Sequence, residues 1–193
     1  MSKKEKQELK LFGKWSPEGI EAENPGLKRY ISLRPIGVPH SMGRHEHKRF
    51  RKAAVNLVER LINNLMRPGK NAGKKARTIS VTRNAFELIQ LRTGQNPIEM
   101  LVKAVENSAP AEDTTRISYG GIAYHLAVDI SPLRRVDLAL RFLAEGARKA
   151  TMHKPRSFEE CLADEIILAA NGDVKSHAVS KRNQMERIAR ASR

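Results

Sequence analysis

From Phe50 onward the apolar residues recur at three- and four-residue steps, with one interruption where they recur at steps of two. The first spacing lines apolar side chains along one stripe of a helix; the second lines them along one face of a strand. The pattern calls for packed helices broken once by a strand pair. Phe50, Ala54, Leu57, Val58, Leu61, Ile62 and Leu65 predict a long first helix from about His47, stopped by Pro68-Gly69. A second helix is expected over roughly 74–92, burying Ala76, Ile79, Phe86 and Ile89 before Gly94. Asn96 and Pro97 form a cap and first-turn pair that opens a third, with Ile98, Leu101, Val102 and Val105 inward.

The period then changes. Ile122, Tyr124, Leu126, Val128 and Ile130 alternate with smaller or polar residues, and Thr114–Tyr119 precedes them across Gly120-Gly121. Two strand-prone runs around Gly-Gly read as a hairpin over about 114–130. Ser131-Pro132 opens a fourth helix by the same cap logic, with Leu133, Val136, Leu140, Leu143 and Ala147 inward. Ser157 and Glu160 form the capping box of a fifth, whose apolar positions are Cys161, Leu162, Ile166 and Ala169. A sixth runs from about His177, with Met185, Ile188 and Ala189 inward. No repeat of solenoid period is evident.

Residues 1–48 carry no such stripe. Pro17, Pro25, Pro35 and Pro39 break helices there and five glycines punctuate the rest, apart from a short extended piece around Tyr30–Leu33. The expected architecture is mainly α: a six-helix, bundle-like domain over 49–193 with an inserted β-hairpin, preceded by an irregular basic N-terminal arm over 1–48. The arm has little apolar surface with which to fold alone and is expected to lie on something else.

Charge narrows the function. The 193 residues include 36 Lys plus Arg against 21 Asp plus Glu, a formal net charge of +15. That excess favours an anionic partner, most often nucleic acid. The run Arg60–Phe86 contains Arg60, Arg67, Lys70, Lys74, Lys75, Arg77 and Arg83 and no acidic residue. A solvated helix face mixes both signs, so a phosphate backbone explains the run better. The N-terminus lacks an apolar signal core, no stretch approaches the ~18 apolar residues of a membrane span, and one cysteine fits a reduced, cytoplasmic setting. Neither secretion nor a membrane partner is expected.

Catalytic and ligand motifs are weak. His45-Glu46-His47, with His40 nearby, has spacing that sends its imidazoles to different sides of a helix, among Arg44, Lys48 and Arg49. The segment Gly69–Lys75 resembles a phosphate loop, but three residues separate its glycines, no hydroxyl follows the lysine, and a helix precedes it. Such a loop feeding a helix N-terminus still suits a nucleic-acid phosphate. Cys161 falls on an apolar face and reads as core rather than as a nucleophile with His153 or His177. Glu159, Glu160, Asp164 and Glu165 lie early in their helix, where the dipole accounts for them. The chain is expected not to be an enzyme and to need no cofactor or metal. Arg134 and Arg135 occupy a first helical turn, where cations oppose the dipole, which points to an external anion. Tyr119 and Tyr124 could stack on unpaired bases, with core packing as the alternative.

Several stretches together resemble the universal small-subunit ribosomal protein number seven family. They are Leu57–Phe86 with Gly69 and Gly73-Lys74-Lys75; Glu106–Pro110 followed by Arg116 and Gly120-Gly121; Val128–Arg135 followed by Gly146-Ala147-Arg148; and Leu162–Glu165 followed by Ala169-Ala170, Lys181-Arg182 and Glu186-Arg187. The likeness covers about residues 50–193 in order. The arm and the insert Asn71-Ala72-Gly73 resemble the archaeal and eukaryotic form rather than the shorter bacterial one.

The resemblance implies a structural protein of the small ribosomal subunit, cytoplasmic, that binds the 3′ major domain of the rRNA and nucleates head assembly. It implies neighbouring head proteins as partners, and proximity to exit-site tRNA and the mRNA path. Carried over by motif, the rRNA contacts are Lys70, Lys74, Lys75, Arg77, Arg116, Arg134 and Arg135, joined by Arg67, Lys181 and Arg182 on the same basic elements. Tyr119, Gly120 and Gly121 at the hairpin tip would approach the tRNA. Arg44, Lys48 and Arg49 are assigned to rRNA on charge alone. The competing reading is a basic DNA-binding protein whose helices near 60–92 imitate a helix-turn-helix.

Overall fold

A computed structural model describes residues 9–45, 47–67 and 71–193. The chain forms α1 (Pro25–Lys28), a 3₁₀ turn (Arg51–Ala54), α2 (Leu57–Leu65), α3 (Lys75–Thr93), α4 (Pro97–Ser108), β1 (Glu112–Tyr119), β2 (Ile122–Asp129), α5 (Pro132–Thr151), α6 (Phe158–Ala170) and α7 (His177–Ala191). The helices α2 to α7 are the six expected from the stripes, and β1 and β2 pair antiparallel as the inserted hairpin. One core, centred on Phe86, Leu101, Leu140, Leu143, Leu162 and Ile166, is shared by α3, α4, α5 and α6.

The first helix is shorter than its stripe predicts. Phe50 and Ala54 fall outside it, and α2 begins at Leu57 because Asn56 caps it: the Asn56 Oδ1 accepts the Val58 N–H at 2.9 Å. Asn56 also forms a bridge with Ser32 of the arm, whose carbonyl accepts the Leu57 N–H. Asparagine competes well for a cap position, and the arm supplies the extended partner that holds it there. The extended piece expected at 30–33 is reduced to this single bridge.

The buried face of α3 also differs. Ala76 is exposed and Ile79 half-buried, while Thr78 and Thr82 are fully buried. Each threonine hydroxyl donates back into its own helix, Thr78 to the Lys75 carbonyl at 2.9 Å and Thr82 to the Thr78 carbonyl at 2.9 Å. A hydroxyl satisfied in this way can face the core, which a hydrophobic stripe does not reveal. In α7 the inward stripe is Ala178, Met185 and Ala189, with Ile188 turned to solvent.

Residues 9–45 of the arm pack on the helical body. Leu11, Trp15 and Leu27 are buried in the shared core. Trp15 stands edge-on to Phe86 at 5.7 Å between ring centroids, and its indole N–H donates to Gln90 Oε1 at 2.8 Å. The Asn24 N–H donates to Glu106 Oε1 at 2.8 Å, and Asn24 caps the single-turn α1. The arm's apolar residues are few, yet Leu11, Trp15, Ala22, Leu27 and Ile31 join the core while Leu9, Val38 and Met42 stay exposed, so these described residues order on protein.

The hairpin turns at Gly120-Gly121, both with positive φ (56° and 81°), as a two-residue connection of this hand requires. Its base is tied down. The Ala111 N–H donates to Glu186 Oε1, the Ile130 N–H to the Ala111 carbonyl, and Arg193 pairs with Glu112. From Arg116 to Ile122 every residue is exposed. The register puts Ile117 opposite Tyr124 and Tyr119 opposite Ile122, so these four side chains share one exposed face.

Candidate nucleic-acid interface

Arg60, Asn63, Asn64 and Arg67 follow one another at helical spacing on and just past α2. Arg134, Asp137, Leu138 and Arg141 do the same on α5. Each set has the i, i+3, i+4, i+7 pattern of one helix face. The two faces meet across a polar cleft of about 400 Å³, lined also by His45 and Lys52.

Asp137 lies among five cations. It accepts Arg60 Nη2 at 2.8 Å and Lys52 Nζ at 2.5 Å. Burial pushes the Asp137 carboxyl upward, but the hydrogen bonds and charges of Lys52 and Arg60 outweigh it and hold the group below its ordinary range. Arg60 is only 6% exposed and also donates to the Tyr30 carbonyl. It is a wall of the cleft, fixed in place. Arg67, Arg134 and Arg141 are exposed and, among the described residues, have no carboxylate partner. Three open guanidinium groups around one cleft present forked donors of the kind that suit phosphate.

Helix ends add to it. Asn24, Asn56, Asn96, Ser157 and Ser176 each cap their helix with a side-chain hydrogen bond. The helices α3 and α5 have none: Lys74 stands at one N-cap and Ser131 at the other, and Ser131 does not cap as the sequence suggested. Both begin with cations in or beside the first turn. An uncapped N-terminus leaves N–H groups and a positive dipole end facing outward, where a nearby anion would offset the cost of the basic side chains.

The other candidate residues divide into open and committed. Arg44, Lys48, Arg49, Lys74, Arg77 and Arg116 are exposed. Lys70 lies outside the described residues. Lys75 is drawn inward: its ammonium is 2.7 Å from Glu59 Oε1 and its side chain is 18% exposed. Glu59 also accepts the Ser41 N–H at 2.7 Å and the Ser41 hydroxyl at 2.9 Å. Burial pushes the Glu59 carboxyl up, but the bonds from Lys75 and Ser41 prevail and hold it below the usual glutamate range. Arg135 donates Nε to the Pro110 carbonyl at 3.1 Å and so clips the hairpin base to α5. Arg182 donates to the Asn107 carbonyl at 2.5 Å, and Lys181 to Gln184 at 3.0 Å. Tyr119 is 81% exposed beside Gly120 and Gly121, and Tyr124 is also turned to solvent rather than packed in the core. Cys161 is buried in the α6 face, as expected.

Sequence reading counted Arg60 only as part of the acid-free run and did not assign Lys52, Asn63, Asn64 or Arg141 to the site. A signal existed for two of them: Arg60 precedes Arg67, and Arg134 precedes Arg141, by seven residues, which is two helical turns. The helix-turn-helix reading fails on geometry, because residues 66–74 separate α2 from α3 where a turn of about three or four residues is needed.

Residues 27–193 match the family model described as ribosomal protein S7p/S5e. The chain belongs to that family. It is 55% identical to the small ribosomal subunit protein uS7 of Cenarchaeum symbiosum, over 98% of this chain and 99% of the relative. It is 52% identical to the small ribosomal subunit protein uS7 of Methanothermobacter thermautotrophicus, over 94% of this chain and 98% of the relative. Both relatives are archaeal, in line with the form that the arm resembles. As a member of the S7p/S5e family the chain is a structural ribosomal protein and not an enzyme, and its place is the ribosome, in the cytoplasm.

Proposed function

We propose that this ribosomal protein, a constituent of the small subunit, binds the 3′ major domain of small-subunit rRNA and nucleates assembly of the subunit head. The observation that carries the reading is the cleft between α2 and α5, where Arg67, Arg134 and Arg141 stand open beside the uncapped start of α5. Phosphate neutralisation there releases counterions and drives binding. Specificity comes from RNA shape, since a helical body with two tied-down helix faces meets a folded RNA more readily than a row of base edges.

The division of labour follows. The domain over 49–193 supplies most of the cleft cations, and the arm over 1–48, whose described residues brace α2 and α3, adds Arg44, Lys48 and, just past it, Arg49 to the basic surface. Lys74, Arg77 and Arg116 extend the basic surface. Lys70, Lys75, Arg135, Lys181 and Arg182 belong to the same contact region, the last four with their side chains also holding protein groups. The exposed hairpin tip, Tyr119 to Gly121, reaches toward exit-site tRNA and the mRNA path, and the flanks of the domain meet neighbouring head proteins.

The test is binding of the purified chain to a 3′ major-domain transcript across a salt series. Replacing Arg67, Arg134 and Arg141 together by Ala should weaken binding and lower the slope of log affinity against log salt by about two to three, near one per lost phosphate contact. All three are exposed, so the melting temperature should hold. An unchanged slope would remove the cleft from the interface.

A further inference from the structure

The stripe containing Phe50 places its ring in the core, yet the structure turns it out: Phe50 is 68% exposed. Its backbone is left-handed, φ 60° and ψ 0°. That conformation costs a bulky L-residue about 1 kcal/mol or more. Phe12 adopts a similar φ of 52°, but there the N–H donates to the Gly37 carbonyl and the ring meets Trp15 edge-on. Phe50 has no such return from the core. Its only ring partner among the described residues is a cation, the Arg49 guanidinium 5.6 Å from the ring centroid.

The surroundings say what this ring faces. Phe50 stands in the run Lys48-Arg49-Phe50-Arg51-Lys52. Arg51 and Arg44 line, with Arg34, a groove of about 250 Å³ whose lining also includes Val38, Ala54, Val55 and the carboxylate of Glu59, which Lys75 and Ser41 already occupy. Among the described residues none of these three arginines has a carboxylate partner. The groove is smaller than the ~300–1,000 Å³ of pockets for drug-sized ligands. An exposed ring set among open cations, beside a small apolar recess, has the chemistry of a base-stacking platform: cations hold the strand's phosphates while the π-face takes an unpaired base. An apolar protein partner would leave those arginines buried without anions.

We infer that Phe50, steadied by Arg49, is a stacking platform for an unpaired base of the RNA held in the neighbouring cleft. The inference rests on the rRNA-binding reading above. Stacking and ion pairing differ in salt dependence, which gives the test. Binding of the full chain to the 3′ major-domain transcript is measured at several salt concentrations for Phe50→Ala, Phe50→Trp and Arg49→Ala. Phe50→Ala should bind about tenfold more weakly with the salt slope unchanged, and its melting temperature should match the parent because the ring is outside the core. Phe50→Trp should restore affinity. Arg49→Ala should lower the slope by about one. Parental affinity for Phe50→Ala, a changed slope, or no rescue by Trp would overturn the platform. So would intact transcript binding by Phe50→Ala with impaired incorporation into reconstituted subunits, which would assign the ring to a protein neighbour. Failure of the unaltered chain to bind the transcript would remove the rRNA reading itself.

Discussion

Glu59 and Glu165 are both buried carboxylates, and both work as joints rather than as acids or bases. Glu59 joins three parts of the chain: it sits on α2, accepts two bonds from Ser41 of the arm and pairs with Lys75 of α3. Because its folded pKa is lowered, the stabilisation is complete above the ordinary glutamate value of about 4.5 and is lost as pH falls through the folded value. The melting temperature should therefore drop below about pH 4.5, with Asp137 adding to the loss lower still. Glu59→Gln should cost about 1–3 kcal/mol at neutral pH and flatten the acid limb, as read by thermal melts from pH 3 to 7. Glu165 on α6 accepts the Ser176 hydroxyl at 2.8 Å and the Ala178 N–H at 2.9 Å, so it anchors the start of α7 in addition to serving its own helix. It lies against Gly146 of α5: a Cβ there would stand 2.7 Å from the carboxylate carbon. Gly146→Ala should destabilise by about 1–3 kcal/mol, measured by denaturant unfolding, because the carboxylate it displaces has two donors to satisfy.

The start of α5 sets stability against binding. Ser131 occupies the N-cap without a side-chain bond, and Arg134 opens into the cleft. Ser131→Asp places a carboxylate where the helix dipole and uncapped N–H groups favour one. The variant should gain roughly 0.5–1 kcal/mol in stability and bind the transcript more weakly, since the added charge occupies the anion's place. Equal affinity for RNA would mean that this helix end is not part of the contact. The hairpin makes a related point about elements. Its length, turn and pairing were legible in the alternation around Gly120-Gly121, but which of its faces is covered was not. Only the base packs on α7, so Ile117, Tyr119, Ile122 and Tyr124 remain open. Alternation identifies a strand with two unlike faces and is silent on whether anything lies over the apolar one.

The arm changes the picture of the molecule as one body. Few apolar residues and many helix breakers suggested a segment that folds on its partner. Instead Leu11, Trp15 and Leu27 complete the protein's own core. Trp15→Ala removes a buried ring, its contact with Phe86 and the bond to Gln90, and should cost about 3–5 kcal/mol. Chemical denaturation reads this directly; a loss under 1 kcal/mol would mean that the arm is only loosely laid on the helices. Arg34, Arg44, Arg51, Arg67, Arg134 and Arg141 line the two recesses formed with α2, α5 and the 34–52 segment, while Lys75, Arg135 and Arg182 point into protein groups.

Local signals in the chain were enough for the helices, several of their caps, the hairpin turn and the basic character of the surface. Capping by Asn96 and Ser157 depends on the next few residues, and positive φ at Gly120-Gly121 depends on the missing side chain alone. Net charge depends on composition. The tertiary structure decided which cations stay free. Lys75 and Arg67 lie in the same acid-free run, yet one meets Glu59 and the other faces the cleft, because the outcome depends on the groups that packing brings alongside. Asp137 is 77 positions from Arg60 in the chain and 2.8 Å away in space. The same holds for Phe50, which periodicity assigned to a helix until Asn56 and Ser32 moved the helix start past it.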